Sequence, residues 1–323
     1  MRQTAGPVPE GSNMPNNGYT YHDRIPPREA GCTLVAFYAR HYSHSSPEEW
    51  QLHIIAGRIS RNGAVERDPA CVLGSGDRLA WHRPPWEEED VPTDIVILAE
   101  GGGWMVLHKP SGLPVLPGGG FLEHTMLHIA RERFGNAMAP LHRLGRGTSG
   151  AMLFTHDTQA ARFLSRAMRE GRIAKTYLAL VRGIPDADAF TIDIPIGPVP
   201  YRPLGVLHAA SPTGKPSLSH CRVLRRDIDR EMSLLEIDIP TGRPHQIRIH
   251  CAAAGFPLVG DPLYRRGGLP IEGDAVPGDL GYHLHSWRLR FPDPSGSGLV
   301  AVTSPPPAQL APSGPDVSAG FPS

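Results

Sequence analysis

The chain has 323 residues, of which 40% are hydrophobic and 20% are charged. This length and composition exclude a wholly disordered chain and are enough for two domains, or for one large domain with an appendage. The 32 basic and 32 acidic residues balance, which argues against a protein that coats nucleic acid with a uniformly basic surface.

The first predicted elements form a small N-terminal part. Residues 1–28 are polar and rich in Pro, Gly and Asn, so we expect them to lack fixed structure. Apolar spacing predicts a helix over 33–42, and the run SPEE at 46–49 predicts the capped start of a second helix. The stretch from 57 to 83 alternates like short strands and is broken at Asn62-Gly63, a strong tight-turn signal.

Two short helices that lead into a small hairpin resemble the αL RNA-binding module first described in a ribosomal protein of the small subunit. The resemblance covers residues 31–83 of a domain expected at 29–83, and it rests on the phrases GRISRNG and GDRL. It implies that the second helix and the following turn bind structured RNA, with His53, Arg58 and Arg61 near phosphate. The alternative is a small packing domain with ordinary surface arginines.

After a linker at 84–94, the segment 95–293 predicts an α+β domain built mainly on antiparallel strands with flanking helices. IVILAE and WMVLHKPSG predict paired strands, and helical spacing predicts helices at 122–134, at 158–170 and from about 245 to 254. Further strands are predicted at KTYLALVRG, FTIDIPIG, SLSHCRVLRRD, MSLLEIDIP and LHSWRLRF. Residues 294–323 are expected to form a mobile tail.

Five segments of this domain carry a second resemblance. They are WMVLHKPSGLPVLPGG, LHRLGRGTSGAMLF, AKTYLALVRG, TGRPHQIRIHCAAAGFPLVGDPLYR and HLHSWRLRFPDP. In their order and spacing they resemble the RluA-like pseudouridine synthases, and together they span about residues 95–293. The resemblance implies a pseudouridine synthase fold and the isomerisation of uridine to pseudouridine in ribosomal or transfer RNA, with no cofactor and no metal.

The resemblance also implies roles for single residues. A uridine must leave its helix before it reacts, and Arg143 is expected to fill the vacated stack. Tyr177 corresponds to a tyrosine that lies against the target base, and Arg248 to an arginine that pairs with a catalytic aspartate. The remaining RNA-binding candidates of this domain are His142, Arg146, Arg243 and His245.

The catalytic loop departs from the family pattern at its nucleophile. The pattern is HRLD followed by a basic residue and TSG, whereas this chain carries Gly145 at the aspartate position. Glycine can neither attack the sugar nor balance Arg248, and loss of a nucleophile costs several orders of magnitude in rate. Asp157 and Asp261 are candidate substitutes, although the first resembles a helix cap and the second lies in a segment that the family keeps for structure.

The rest of the sequence suggests a reducing compartment and no metal. The four cysteines are widely spaced, no secretory signal or membrane span is predicted, and we expect a monomer in the cytoplasm. His283 and His285 lie at alternate strand positions without a third ligand, which predicts packing histidines. Residues 100–290 carry 23 basic and 17 acidic side chains, which suits an RNA partner.

The sequence therefore predicts an RNA pseudouridine synthase with Gly145 in place of the usual aspartate. Two alternatives stay open. One is a non-catalytic protein that binds RNA during ribosome or transfer RNA maturation, and the other is an interaction protein that does not need RNA.

Overall fold

The structure is a computed structural model that describes residues 15–42 and 44–312. The chain divides between Glu89 and Asp90 into two compact units. This division falls within the linker expected at 84–94. No helix in the described ranges is both long and apolar enough to cross a membrane.

In its described residues, the smaller unit holds two α-helices, a short 3-10 helix (Pro27–Glu29) and a four-stranded antiparallel sheet. Its elements are β1 (Tyr19–Arg24), α1 (Leu34–His41), α2 (Pro47–Ile55), β2 (Ile59–Arg61), β3 (Ala64–Glu66) and β4 (Arg78–Arg83). The strand order is β1-β4-β2-β3. The core is aromatic: Trp50 stacks on Tyr38 with ring centroids 4.7 Å apart and meets Trp81 edge-on at 4.6 Å.

The start of α2 follows from its first four residues. The side chain of Ser46 accepts a hydrogen bond from Glu49 N, and the Glu49 carboxylate accepts one from Ser46 N. Pro47 occupies the first turn, where its missing N–H costs nothing. The capping box predicted from the run SPEE is confirmed.

The expectation that residues 1–28 lack fixed structure is wrong for β1. Tyr19–Arg24 pairs along its whole length with β4, and Tyr21 stacks on Trp81 with ring centroids 5.1 Å apart. The polar sequence hides this strand because one face of the pair stays exposed. Residues 1–14, which share the same expectation, lie outside the described residues.

The larger unit is built on a ten-stranded sheet. Its strands are β5 (Val96–Gly101), β6 (Trp104–Lys109), β7 (Ala139–Pro140), β8 (Ser149–Thr155), β9 (Ala174–Arg182), β10 (Ala189–Asp193), β13 (Leu218–Asp227), β14 (Met232–Asp238), β17 (Leu284–Pro292) and β18 (Leu299–Thr303). Two small hairpins complete the strands: β11 (Ile196–Tyr201) with β12 (Gly205–Ala210), and β15 (Tyr264–Arg265) with β16 (Leu269–Pro270).

The main path of the sheet runs β10-β13-β14-β9-β17-β8-β6-β5, with β18 paired to β17 and β7 paired to β8. Every described pairing is antiparallel except that of β17 with β8. Helices α3 (Met126–Phe134), α4 (Thr158–Arg169) and α5 (Gln246–Ala253) belong to this unit. The predicted α+β class with a mainly antiparallel sheet is confirmed.

Three predicted boundaries change in the structure. The helix expected at 122–134 begins at Met126, because Thr125 caps it through a hydrogen bond from His128 N. FTIDIPIG divides into β10 and β11, which belong to different sheets. The tail expected from 294 onward contains β18, because its apolar residues pair with β17; residues 313–323 lie outside the described part.

Candidate active site

A buried lysine holds the loop that joins β7 to β8. Nζ of Lys109 donates to the carbonyls of Pro110, Arg146 and Thr148, each at 2.9 Å. Burial and the nearby Arg146 lower the pKa of Lys109 to about 7, whereas three carbonyl acceptors favour its ammonium form. The sequence indicated a turn here but not this role of Lys109, since no motif position shows which carbonyls a lysine will meet.

The loop orients its three basic residues differently. Nε2 of His142 accepts a hydrogen bond from Leu153 N at 3.2 Å, and burial, together with Lys175, lowers its pKa to about 4. Arg143 is exposed and its side chain bonds to no other described residue. Nε of Arg146 donates to Gly112 O at 2.9 Å. Arg143 is therefore available to a ligand, while His142 and Arg146 fix the loop.

Tyr177 lies on β9 opposite Ser286 of β17. Burial raises its pKa to about 12, although a hydrogen bond with Ser286 acts in the opposite direction. Its ring belongs to a buried cluster that also contains Leu144, Ile247 and Tyr282. The structure thus brings the predicted base-facing tyrosine together with the loop and with α5.

Arg248 forms a buried ion pair with Asp261. Nε and Nη2 of Arg248 donate to the two carboxylate oxygens at 2.7 Å each, and the side chains are 3% and 1% exposed. Although burial disfavours the charge, the hydrogen bonds to Asp261 raise the pKa of Arg248 above its ordinary value. Oδ1 of Asp261 also accepts from the backbone N–H groups of Leu263 and Tyr264.

In this geometry Asp261 is a partner for Arg248: its Oδ1 accepts three hydrogen bonds and its Oδ2 accepts one. The other candidate carboxylate, Asp157, caps α4 by accepting from Gln159 N and Ala160 N at 2.8 Å. Its role as a helix cap is confirmed. Neither carboxylate therefore stands at the position that the family pattern gives to its nucleophile.

Two tyrosine rings flank Arg248. Its guanidinium carbon lies 4.2 Å from the ring centroid of Tyr282 and 5.2 Å from that of Tyr264. Nδ1 of His245 lies 2.8 Å from the hydroxyl of Tyr264, which donates to the carbonyl of His208. His245 precedes α5 in the left-handed conformation, with φ of 54°. It holds Tyr264 in place beneath the guanidinium.

Tyr282 fills the space beside the bare loop. A Cβ atom built on Gly145 would lie 2.6 Å from the Tyr282 hydroxyl oxygen, and one on Gly147 would lie 3.0 Å from two carbons of the same ring. The hydroxyl is 3.3 Å from Oγ1 of Thr148. Sequence reasoning missed Tyr282; the available signal was the pair of glycines in GRGTSG, which leaves room for a ring.

Two further predicted residues have partners within the fold. Nε of Arg243 donates to the carbonyl of Pro216 at 3.1 Å. His285 is buried against Oγ of Ser149 and the carbonyl of Ser304, as a packing histidine should be. The packing role of His283 stays a prediction.

In the smaller unit, Arg58 and His53 line one open cavity of about 480 Å³ at the end of α2. Nη1 of Arg58 lies 2.9 Å from Nδ1 of His53, whose pKa burial and Arg58 both lower. Arg61 instead pairs with Asp77 at 2.6 Å and donates to Sγ of Cys71. The structure brings the first two residues together and gives Arg61 partners within the fold.

Comparisons with known proteins all give similarity to RNA pseudouridine synthases. Residues 103–253 match the family model described as RNA pseudouridylate synthase. An uncharacterized RNA pseudouridine synthase of Synechocystis is 41% identical over 86% of this chain and 95% of its own length. The ribosomal large subunit pseudouridine synthase D of Vibrio parahaemolyticus is 30% identical over 83% of this chain and 85% of its own.

A solved structure is also similar. Human RNA pseudouridylate synthase domain containing 1 superposes with a TM-score of 0.53 and 28% identity, over 67% of this chain and 86% of the human one. The similarity therefore extends from sequence to the arrangement of strands and helices.

Proposed function

This chain belongs to the RNA pseudouridylate synthase family of isomerases, and we propose that it converts a uridine of structured ribosomal or transfer RNA to pseudouridine. The observation that carries the proposal is the convergence of Tyr177, Arg248 and the loop around Gly145 on one buried cluster. Three separate segments of the sequence supply these groups. Neither core packing nor helix capping by itself requires these three groups to lie together.

The roles follow from what the reaction needs. The target base must leave its stack, and the exposed, planar guanidinium of Arg143 can take its place. The flipped uracil then lies against Tyr177, next to the positive charge of Arg248. Recognition of RNA relies on such splayed bases and on backbone shape.

For the smaller unit we propose a sequence-independent grip on RNA. Arg58 and His53 border the cavity at the end of α2, and Arg83 stacks over Trp86 at 3.5 Å in the same unit. Arginines and aromatic faces of this kind suit phosphates and unpaired bases. Arg61, committed to Asp77, would contribute charge at longer range.

We propose ribosomal RNA as the substrate. One relative is named for the ribosomal large subunit, which favours ribosomal RNA as the first substrate to test. The four cysteines are free, which agrees with a reducing compartment such as the cytoplasm. We propose that the protein acts there as a monomer.

A second candidate function has one specific observation in its favour. Gly145 offers no nucleophile, and both oxygens of Asp261 accept hydrogen bonds from Arg248. A protein that binds RNA and leaves it unmodified would tolerate both features. In that case Arg143 and the smaller unit would bind RNA, and the cluster around Arg248 would be only structural.

The deciding experiment maps pseudouridine in RNA from a strain that lacks the protein. Purified protein is added to the bulk RNA, and an Arg143→Ala variant serves as a comparison. We expect one or a few new pseudouridines with the unchanged protein and far fewer with the variant. Tight binding of the RNA with no new pseudouridine would favour the second candidate instead.

A further inference from the structure

We propose that Tyr282 is the catalytic nucleophile of this enzyme and that its phenol oxygen takes the place of the absent carboxylate at position 145. The inference rests on the proposed function, because it concerns the glycosidic bond that pseudouridine formation must break. The hydroxyl oxygen of Tyr282 lies 2.6 Å from the position that the Cβ of any side chain at residue 145 would occupy.

The glycines of the loop fit this tyrosine and have no other evident reason to be glycine. Neither Gly145 nor Gly147 has a φ in the left-handed region, so their backbone does not require glycine. What requires it is space, because a Cβ on either residue would press on the Tyr282 ring or hydroxyl. The two glycines and the tyrosine form one matched set.

A cationic side chain with one unused donor lies against the ring of Tyr282. The guanidinium of Arg248 lies 4.2 Å from the ring centroid of Tyr282. Nη1 of Arg248 is buried and has no hydrogen-bond partner among the described residues, although Nε and Nη2 both bind Asp261. An unused cationic donor beside a phenol is suited to stabilise a developing oxyanion.

The hydroxyl itself is nearly free. Its described hydrogen-bond neighbour is Oγ1 of Thr148, at 3.3 Å, the long end of the range for hydroxyl pairs. Thr148 belongs to the loop that carries Arg143, the residue expected to enter the stack, so this contact places the Tyr282 hydroxyl beside that loop.

The reaction balances without any co-reactant. The Oη–C1′ bond forms as the C1′–N1 bond breaks, and the electron pair of the broken bond goes to N1, which takes the phenolic proton. After the uracil turns, C5 attacks C1′ and the phenolate leaves with the electron pair of the Oη–C1′ bond. The phenolate then removes the proton from C5, so the phenol and the uracil double bond are both restored.

Tyrosine is chemically capable of this role. It is one of the side chains that form covalent intermediates, and some glycosidases use it as their nucleophile in place of a carboxylate. Tyr177 would keep its separate place against the base.

The first test compares Tyr282→Phe with Tyr201→Phe, which removes the hydroxyl of another buried tyrosine, bound to the carbonyl of Ala275. Pseudouridine formation is measured with an RNA that the unchanged protein modifies. We expect Tyr282→Phe to lower the rate by on the order of 1000-fold with RNA affinity unchanged, and Tyr201→Phe to lower it by less than about threefold. A rate for Tyr282→Phe within tenfold of the unchanged protein overturns the inference.

A second test introduces a carboxylate at position 145. Gly145→Asp alone should lose the activity of the unchanged protein, because its Cβ meets the tyrosine oxygen, whereas Gly145→Asp with Tyr282→Phe should recover at least about 100-fold over Tyr282→Phe. Equal rates for the double variant and Tyr282→Phe count against the inference.

A third test keeps the shape of the residue in case Tyr282→Phe does not fold. Difluorotyrosine at position 282 makes the phenol more acidic, so the pH–rate profile should move to lower pH, and an unmoved profile overturns the inference. Absence of pseudouridine with the unchanged protein would instead overturn the proposed function, which makes the two failures distinct.

Discussion

At the scale of residues, Arg248 and Asp261 form the electrostatic centre of the cluster. Both side chains are almost wholly buried, so each one offsets the cost of burying the charge of the other. The carboxylate also binds two backbone N–H groups of the segment that leads into β15. The pair thus ties α5 to the chain that follows it and sets the position of the guanidinium beside Tyr282.

Removal of one partner from this pair should be costly. Asp261→Asn leaves a buried guanidinium without its counter-charge, and we expect the free energy of unfolding to fall by about 3–5 kcal/mol. Urea denaturation followed by circular dichroism measures the loss. Asp274→Asn, which removes an exposed partner of Arg202, is the control and should change stability by less than about 0.5 kcal/mol. An equal, small effect in both variants would show that the buried pair is not needed.

How far single residues can be predicted depends on how local their reasons are. Tyr177, Arg248 and Gly145 lie in recognisable motifs, and the Tyr282 ring adjoins both Arg248 and the Gly145 position, while the roles of these residues stay predictions. Tyr282 was missed because its partner Thr148 is 134 residues away, and no motif links the two. The commitment of Asp261 to Arg248 likewise depends on the turn after α5.

At the scale of elements, the close approach of β8 and β17 determines how the loop around Gly145 enters the sheet. These strands pair in parallel, with Ser286 opposite Gly150. Gly150 has φ of 114°, and a Cβ built on it would lie 2.2 Å from the carbonyl oxygen of Ser286. The glycine of TSG therefore lets the loop around Gly145 enter the sheet directly beside the strand that follows Tyr282.

A methyl group at this position should disrupt the pairing. We expect Gly150→Ala to lower the free energy of unfolding by at least about 2 kcal/mol, since steric overlap adds to backbone strain. Gly135→Ala is a matched control, because Gly135 has φ of 103° but nothing within 4 Å of its Cβ. The difference between the two variants in urea denaturation isolates the overlap, and no difference would contradict the close approach.

The helices were easier to predict than the strand partners. Ser46 and Asp157 cap α2 and α4 through bonds within three residues, which a sequence pattern can show. Strand β1 finds its partner 54 or more residues away in β4, and β18 turns back onto β17. Such pairings depend on the whole sheet, so the polar sequence around them predicted coil.

At the scale of the whole molecule, several histidines are folded in their neutral form. Burial lowers the pKa of His142, His245 and His285 to about 4 each, and Lys175 adds to the effect at His142 as Arg248 does at His245. Each of these pKa values lies below the ordinary value of 6.5. Between the two values the unfolded chain binds more protons than the folded one, so stability rises with pH.

The folded state should therefore lose stability as the pH falls from 6.5 towards 4. The contribution of the fully buried His285 alone is about 3 kcal/mol, present above pH 6.5 and lost as the pH approaches 4. Urea denaturation at several pH values gives the slope, which should be smaller for His285→Gln. A free energy of unfolding that stays constant from pH 6.5 to 4.5 would contradict the neutral, buried state of these rings.

The class of the fold and the division near residue 90 could be predicted, because periodicity and composition report on them over many residues. The order of strands could not, since it depends on pairings across the full length of the chain.

We expect this family member to isomerise uridine with glycine at position 145. Pseudouridine loses the hydrogen at C5, so release of tritium from RNA labelled at C5 of uridine is the direct measurement. We predict that the purified protein releases tritium to water in a one-to-one ratio with new pseudouridine. Full binding of the labelled RNA, with tritium retained in it after prolonged incubation, would contradict the claim.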